Sequence, residues 1–230
     1  MFRYEMHCHT LYSSLCSRLD AQTMIRLYLE NGYDGIVVTD HFLNGNTTVS
    51  SGLSWQDRID GFYKGFELVK EEATKQGLKV FCGLEYSYLG TDFLSYGQDK
   101  AFLKAHPEMM AYDVRSWLAF MRSKGFLCVQ AHPFREAGYI DHIRLYPSDC
   151  EGIETPNSAR DDRCNRLGEV LADEYGLLKI GGSDIHRADQ KILSGVETSK
   201  EVFSLDELIF EIRSGGAKPF LKENIFAENK

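Results

Sequence analysis

Residue types able to hold a metal ion recur along this 230-residue chain at the ends of short apolar runs. His7 and His9 come first, in Tyr4-Glu5-Met6-His7-Cys8-His9-Thr10. One residue apart on a strand, they point from the same face, a geometry for gripping one ion. Asp40-His41 follows Gly35-Ile36-Val37-Val38-Thr39, and Glu85 ends the run from Lys79. His132 follows Phe126-Leu127-Cys128-Val129-Gln130-Ala131, and Asp184 and His186 sit in Gly182-Ser183-Asp184-Ile185-His186. Imidazole and carboxylate without paired thiolates suit Zn²⁺, Mn²⁺ or Fe²⁺. So many donors exceed the needs of one ion. Two or three divalent ions are expected, with Glu85 bridging two of them. Clustered ions acidify bound water to hydroxide and clamp the oxygens of an in-line phosphoryl displacement.

Each residue alone has a plainer reading. A strand-end histidine is usually a hydrogen-bonded structural residue, Glu85 could be a solvated strand end, and Asp40 could cap a turn. For Asp40, direct ligation and support of a neighbouring ligand both stay open. Five of the seven histidines lie at these strand ends, together with three carboxylates. That concentration favours one shared site.

The elements that must position them alternate. Helical spacing predicts helices over Asp20–Asn31, Gln56–Gln76, about Pro107–Lys124, and Asp161–Tyr175 with Leu167, Val170 and Leu171 inward. Ser204-Leu205-Asp206-Glu207 is a capping box for a last helix reaching about Ser214. With Phe93–Tyr96 and Gly152-Ile153-Glu154 counted, about seven strands alternate with these helices, implying a largely parallel α/β sheet. Periodicity leaves a barrel and an open doubly wound sheet equally open. Either brings the strands' C-terminal ends to one face, where residues distant in sequence meet. The chain shows no linker, repeat or low-complexity segment, and is expected to be one domain over 1–230.

Composition narrows the partners. Net charge is −8 and the pI about 5.4, which leaves no electrostatic footprint for nucleic acid or an anionic membrane. Nothing approaches the roughly 18 apolar residues of a membrane span, and the N-terminus lacks a signal peptide's pattern. A cytoplasmic protein is expected. The six cysteines form no CxxC pair and read mostly as reduced core residues. The pattern carries no signal of oligomeric state.

His7-Cys8-His9-Thr10, Thr39-Asp40-His41, Gly83-Leu84-Glu85, Ala131-His132-Pro133 and Gly182-Ser183-Asp184-Ile185-His186 together resemble the successive motifs of the PHP (polymerase and histidinol phosphatase) family of metal-dependent phosphoesterases. The resemblance runs from residue 5 to about 187. It implies a distorted seven-stranded (β/α)7 TIM-like barrel with a trinuclear site at the C-terminal face. It assigns His7, His9, Glu85 and Asp184 to a first metal, Glu85 and His132 to a second, and His41 and His186 to a third. Where the family has a further histidine for the second metal, this chain has Asp92, which would favour a harder ion such as Mn²⁺. Where the third metal takes a His or Asp some five or six residues past the paired histidines, this chain has Ser13-Ser14-Leu15-Cys16. Either Cys16 substitutes or that third site is weaker.

A phosphate also needs fixed positive charge. Arg135, Arg160 and Arg187 are the candidates, able to fork onto phosphate oxygens, and Asn157 is a candidate residue of the site's mouth. The expected reaction is hydrolysis of a small phosphomonoester by a metal-bridging hydroxide, with Glu85, Asp184, Arg187 and Arg135 as catalytic residues. The alternatives are a phosphodiesterase or exonuclease acting on nucleic acid, and a non-catalytic metal-binding module.

Overall fold

The computed structural model describes residues 1–228. Its strands are β1 (Phe2–Cys8), β2 (Gly35–Val38), β3 (Lys79–Tyr88), β4 (Thr91–Tyr96), β5 (Leu127–Ala131), β6 (Gly152–Asn157), β7 (Leu178–Gly182), β8 (Ile192–Thr198) and β9 (Ala217–Glu223). They form one sheet in the order β7-β6-β5-β4-β3-β2-β1-β8-β9. Adjacent strands are parallel from β1 to β3 and from β5 to β7. The β7 edge curls back toward β1: Cys8 bridges in parallel to Ile185, and the His9 amide donates to the Ile185 carbonyl at 3.2 Å. The sheet is therefore a nearly closed barrel.

Nine strands stand where seven were expected, and the departures have local causes. β3 and β4 are joined by Leu89 and Gly90 alone, at φ 49° and 81°. Two consecutive positive-φ residues make the turn that reverses a chain into a tight hairpin. β4 thus runs antiparallel to both β3 and β5. β8 and β9 form a second antiparallel pair, laid against β1 beyond the last ligand motif.

The helices are α1 (Ala21–Glu30), α2 (Trp55–Thr74), α3 (Lys100–Ala105), α4 (Val114–Ser123), α5 (Asp162–Tyr175), α6 (Leu205–Arg213) and α7 (Ile225–Glu228). Side-chain caps start most of them, for example Asp20 accepting from the Thr23 amide at 2.7 Å. The helix expected over Pro107–Lys124 is split: Pro107–Ala111 is a 3₁₀ turn, and α4 begins only after Asp113 caps it. In α5 the buried residues are Gly168, Leu171 and Ala172, whereas Val170, expected inward, is 52% exposed. The small residues let the helix lie close to β6, where a Cβ on Gly168 would meet Thr155 at 3.4 Å. No helix among the described residues is long and apolar enough to cross a membrane. All six cysteines are free thiols.

One end of the barrel is closed by apolar side chains. Tyr4, Met6, Val37, Leu94, Val129 and Ile180 pack together with Leu208 and Ile212 of α6. Burial of these large side chains stabilises by about 1.5–3 kcal/mol each, and it leaves polar chemistry to the other end. The change of character along β1 comes from a bulge between Glu5 and Cys8. Before it, Tyr4 and Met6 face the barrel interior. After it, Cys8 packs against α1 with Met24 and Tyr28 while His7 and His9 turn into the mouth. A bulge exchanges the two faces of a strand, and here the amides it frees are taken by one buried carboxylate. Glu5 Oε1 accepts from the amides of Met6 and His7 at 3.0 and 2.8 Å, and from Ser183 just past β7 at 2.8 Å.

Candidate metal centre

The mouth gathers His41, Glu85, His132, Asp184 and His186 into the wall of one cavity of about 470 Å³, with His7 and His9 buried beneath it. At its floor His7 Nε2 lies 3.0 Å from His9 Nε2, 3.3 Å from Glu85 Oε1 and 3.6 Å from Asp184 Oδ1. His9 Nε2 lies 3.4 Å from Asp184 Oδ1 and 3.5 Å from Glu85 Oε2. His132 Nε2 approaches Glu85 Oε1 to 3.5 Å, Asp184 Oδ2 to 3.8 Å and Asp92 Oδ2 to 4.0 Å. The His9 ring is flanked by those of His41 and His186, with centroids 4.6 and 4.5 Å away. Three donor groups, each with ligand atoms within 4.8 Å of one another, result: His7, His9 and Asp184; His7, Glu85 and His132; and His9, His41 and His186.

Positive φ is adopted by three non-glycine residues among those described, and two of them, His132 at 27° and Asp184 at 48°, are in this cluster. Backbone held there costs about 1–3 kcal/mol per residue and persists where the surroundings enforce it.

The rings are aimed by residues beneath them. His7 Nδ1 is 2.7 Å from Glu154 Oε1, so Nε2 is the nitrogen turned into the cavity. Glu154 Oε2 also accepts from the His132 amide at 2.9 Å and from Asn157 Nδ2 at 2.8 Å. Gly182 is required beside this pair, since a Cβ there would fall 2.2 Å from Glu154 Oε1 and 2.7 Å from His7 Cβ. Asp40 is saturated: Oδ1 accepts from the Thr10 amide and Ser14 Oγ at 2.7 and 2.6 Å, and Oδ2 from Thr10 Oγ1 at 2.7 Å. Its reach into the site passes through Ser14, which sits 3.3 Å from His9 Nδ1 and accepts from the His41 amide at 3.0 Å.

Electrostatics fix the charge states. Burial alone would neutralise Glu85 and Asp184. The adjacent histidines outweigh it and hold both carboxylates well below their ordinary range, His41 and His7 chiefly for Glu85 and His7 for Asp184. His41 is correspondingly pushed up to about 11, the charge of Glu85 overriding burial. His9 is lowered to about 3 by burial and by its neighbours His186 and His41.

Whether these residues fit metal ions is tested by atoms left without a hydrogen bond. His41 Nδ1 and Glu85 Oε2 are both buried and only 2.6 Å apart, yet neither makes an aligned hydrogen bond. Two such atoms, paired by charge but without an aligned hydrogen bond, suit a shared cation, as does the all-nitrogen-and-oxygen donor set around them. The residues fit the ions.

The arginines divide. Arg135 Nη1 pairs with Asp92 Oδ2 at 3.0 Å, Arg160 Nη2 with Asp184 Oδ2 at 3.0 Å, and both line the cavity. Arg187, expected on phosphate, is exposed and forks instead onto Asp189 at 3.2 and 3.3 Å, off the cavity wall. Asn157, expected at the mouth, is wholly buried under the site on Glu154. Four contributors were not anticipated: Glu5, Ser14, Glu154 and Tyr139, which stands exposed at the rim with Arg135 5.4 Å from its ring centroid. Only Glu154 had a sequence signal, as a carboxylate ending a strand in the manner of Glu85.

The PHP domain family model matches residues 5–177. The chain belongs to the PHP domain family. Similar solved structures agree on the PHP fold. A two-domain protein of Bacteroides vulgatus containing a predicted PHP-like metal-dependent phosphoesterase superposes with a TM-score of 0.68 at 16% identity, over 95% of this chain and 64% of that one. The chain thus spans under two-thirds of that relative's length. A candidate metal-dependent phosphoesterase of Bifidobacterium adolescentis gives a TM-score of 0.57 at 14% identity, over 94% and 97% of the two chains. PsfC of Pseudomonas syringae gives 0.61 at 17%, over 100% and 95%. A comparison with curated protein sequences finds no match. As in the metal-dependent PHP family generally, several His, Glu and Asp side chains are placed to bind metal ions.

Proposed function

We propose that this PHP chain hydrolyses a small phosphomonoester. The observation that carries the reading is the placement of Arg135 and Arg160 in the wall of a bounded cavity, each 3.0 Å from a carboxylate of the donor cluster. Guanidinium groups beside a metal-ligand cluster suit the equatorial oxygens of a phosphoryl group. A cavity of about 470 Å³ matches a small ligand rather than a tracked polymer, and the net charge of −8 disfavours nucleic acid.

His7, His9, Glu85 and Asp184 would hold one ion, Glu85, Asp92 and His132 a second, and His41 and His186 would contribute to a third. When bound, such ions supply Lewis acidity, making water nucleophilic at neutral pH and neutralising charge on phosphoryl oxygens. The chain's own contribution is preorganisation. Glu154 fixes the His7 tautomer, Asp40 through Ser14 sets His9 and His41, and the histidines keep Glu85 and Asp184 ionised. Arg135 and Arg160 bind and orient the phosphate in line with attack. Arg187 is left outside this machinery.

The test is a panel of phosphomonoesters against short oligonucleotides, assayed with Mn²⁺, Zn²⁺ or Fe²⁺. Metal-dependent phosphate release from one or more monoesters supports the reading. Preference for oligonucleotides would shift it to a phosphodiesterase, and metal binding without turnover of any substrate would make the chain a binding module.

A further inference from the structure

With Arg135 and Arg160 given to the phosphate, the outer part of the cavity is left for the rest of the substrate. Its wall there includes Asn46, Ser87, Gly90 and Tyr139. Among the described residues that line the cavity, Tyr139 alone offers a large carbocyclic ring, and it stands 70% exposed. The Arg135 guanidinium lies 5.4 Å from that ring's centroid and 3.0 Å from Asp92 Oδ2. The ring therefore adjoins a group that grips the phosphate, but from the rim. In-line displacement by a nucleophile at the histidine-lined floor sends the leaving oxygen the opposite way, toward the mouth. A substituent joined to that oxygen by a short carbon link comes to lie against Tyr139.

The loop that presents Tyr139 is fastened on both sides of it. The Arg135 amide donates to the His132 carbonyl, and the Ile140 amide to the Ala137 carbonyl, both at 2.9 Å, so the tyrosine sits in a closed turn. Ile140 packs on the hairpin turn between β3 and β4, where a Cβ on Gly90 would fall 2.7 Å from Ile140 Cγ1. Arg144 Nη1 donates to the Leu89 carbonyl of the same turn at 2.9 Å. Below it, buried Gln130 donates to the Arg144 carbonyl at 2.7 Å and accepts from the Tyr146 amide at 2.9 Å. An exposed ring on a loop held this way has little freedom left to lose when a ligand settles on it.

We propose that Tyr139 is a specificity-determining residue, a platform at the rim on which a flat aromatic group of the substrate's alcohol stacks. Aromatic pairs gain from the geometry of their π-systems beyond the area they bury, a gain that a saturated ring of the same size does not share. The inference rests on the phosphomonoesterase reading above and adds to it the class of leaving group.

The test compares two non-hydrolysable probes, phenethylphosphonate and cyclohexylethylphosphonate, titrated calorimetrically into Mn²⁺-loaded protein. Burial of apolar area gives the flat ring no advantage over the saturated one, so the sign of the preference is diagnostic. The wild type should bind the phenyl compound roughly 2–10-fold more tightly. Tyr139→Phe should keep this preference, and Tyr139→Ala should bring the two affinities to within about twofold at an unchanged melting temperature. Tyr139→Leu replaces the alanine variant should that fold poorly. Equal affinities in the wild type, or no binding of either probe, overturns the proposal. So does a preference that survives Tyr139→Ala with both probes weakened alike, which would mean that the ring only holds Arg135 in place. None of these titrations involves turnover. Failure of the phosphomonoesterase reading would appear separately, as absent phosphate release from any phosphomonoester by the metal-loaded wild type.

Discussion

His7 Nδ1 and Glu154 Oε1 face each other at 2.7 Å in a pocket that excludes water from both side chains. The carboxylate fixes which imidazole nitrogen looks into the site and makes that nitrogen a better donor to a cation. Glu154→Gln preserves the shape but supplies no charge. Metal affinity should fall roughly 10–100-fold, measured by calorimetric titration of metal-free protein with Mn²⁺ and Zn²⁺, with thermal stability in the metal-free state little changed. Affinity equal to wild type would mean that Glu154 only fills space.

Glu5 should make stability depend on pH. Burial, only partly offset by hydrogen bonds from Ser183, His7 and Tyr28, raises its pKa from 4.5 to about 7. Between those values the folded state keeps a proton that the unfolded chain has released. The contribution is therefore fully present below about pH 4.5 and is lost as pH rises through about 7. Glu5→Gln keeps an oxygen for the bulge amides and removes the titration. Relative to wild type, the variant should gain about 3 kcal/mol in denaturant unfolding between pH 4.5 and pH 8. Parallel stability curves for the two proteins over that range would refute the assignment.

Metal binding should release protons. His41 is held protonated by Glu85, with its pKa near 11, and an imidazole must be neutral to ligate. Affinity should accordingly rise with pH across the neutral range. Calorimetric titrations in buffers of different ionisation enthalpy should give a net release of at least one proton per chain. Binding enthalpies that do not vary with the buffer would contradict this.

Arg160 and Arg187 should behave oppositely. Arg160 lies on Asp184 inside the cavity, whereas Arg187 is exposed on Asp189. Arg160→Ala should reduce kcat/KM for a phosphomonoester by roughly 10²–10³-fold, the cost of losing one preorganised donor to a transition-state oxygen. Arg187→Ala should stay within a few-fold of wild type. Steady-state phosphate release by the two variants decides it, and the reverse ranking would return Arg187 to the phosphate site.

The candidate ligands were legible because most carry a mark of their own: a histidine or carboxylate at the end of an apolar run, repeated along the chain. What supports them was not. The bulge in β1 depends on Glu5 collecting amides from β1 itself and from Ser183 just past β7, a nonlocal arrangement without a local pattern. Adjacency to a motif also misled. Arg187 follows His186 directly but turns outward, while Arg160, from the loop after β6, reaches Asp184 just past the neighbouring strand β7. β9 went unread because it is an edge strand with a proline at position 219 and little burial. The inward stripe of α5 was misjudged because Gly168 and Ala172, rather than Val170, face the sheet.

The central claim is that the strand-end cluster is a multinuclear hydrolytic centre. The direct measurement is the rate of phosphate release from a phosphomonoester by metal-free protein titrated with Mn²⁺ or Zn²⁺, plotted against bound metal per chain. Activity should be absent without metal, rise only as two or more ions bind, and be abolished by His9→Ala. Full activity in metal-free protein, or saturation of all sites without phosphate release from any phosphomonoester, would contradict the account.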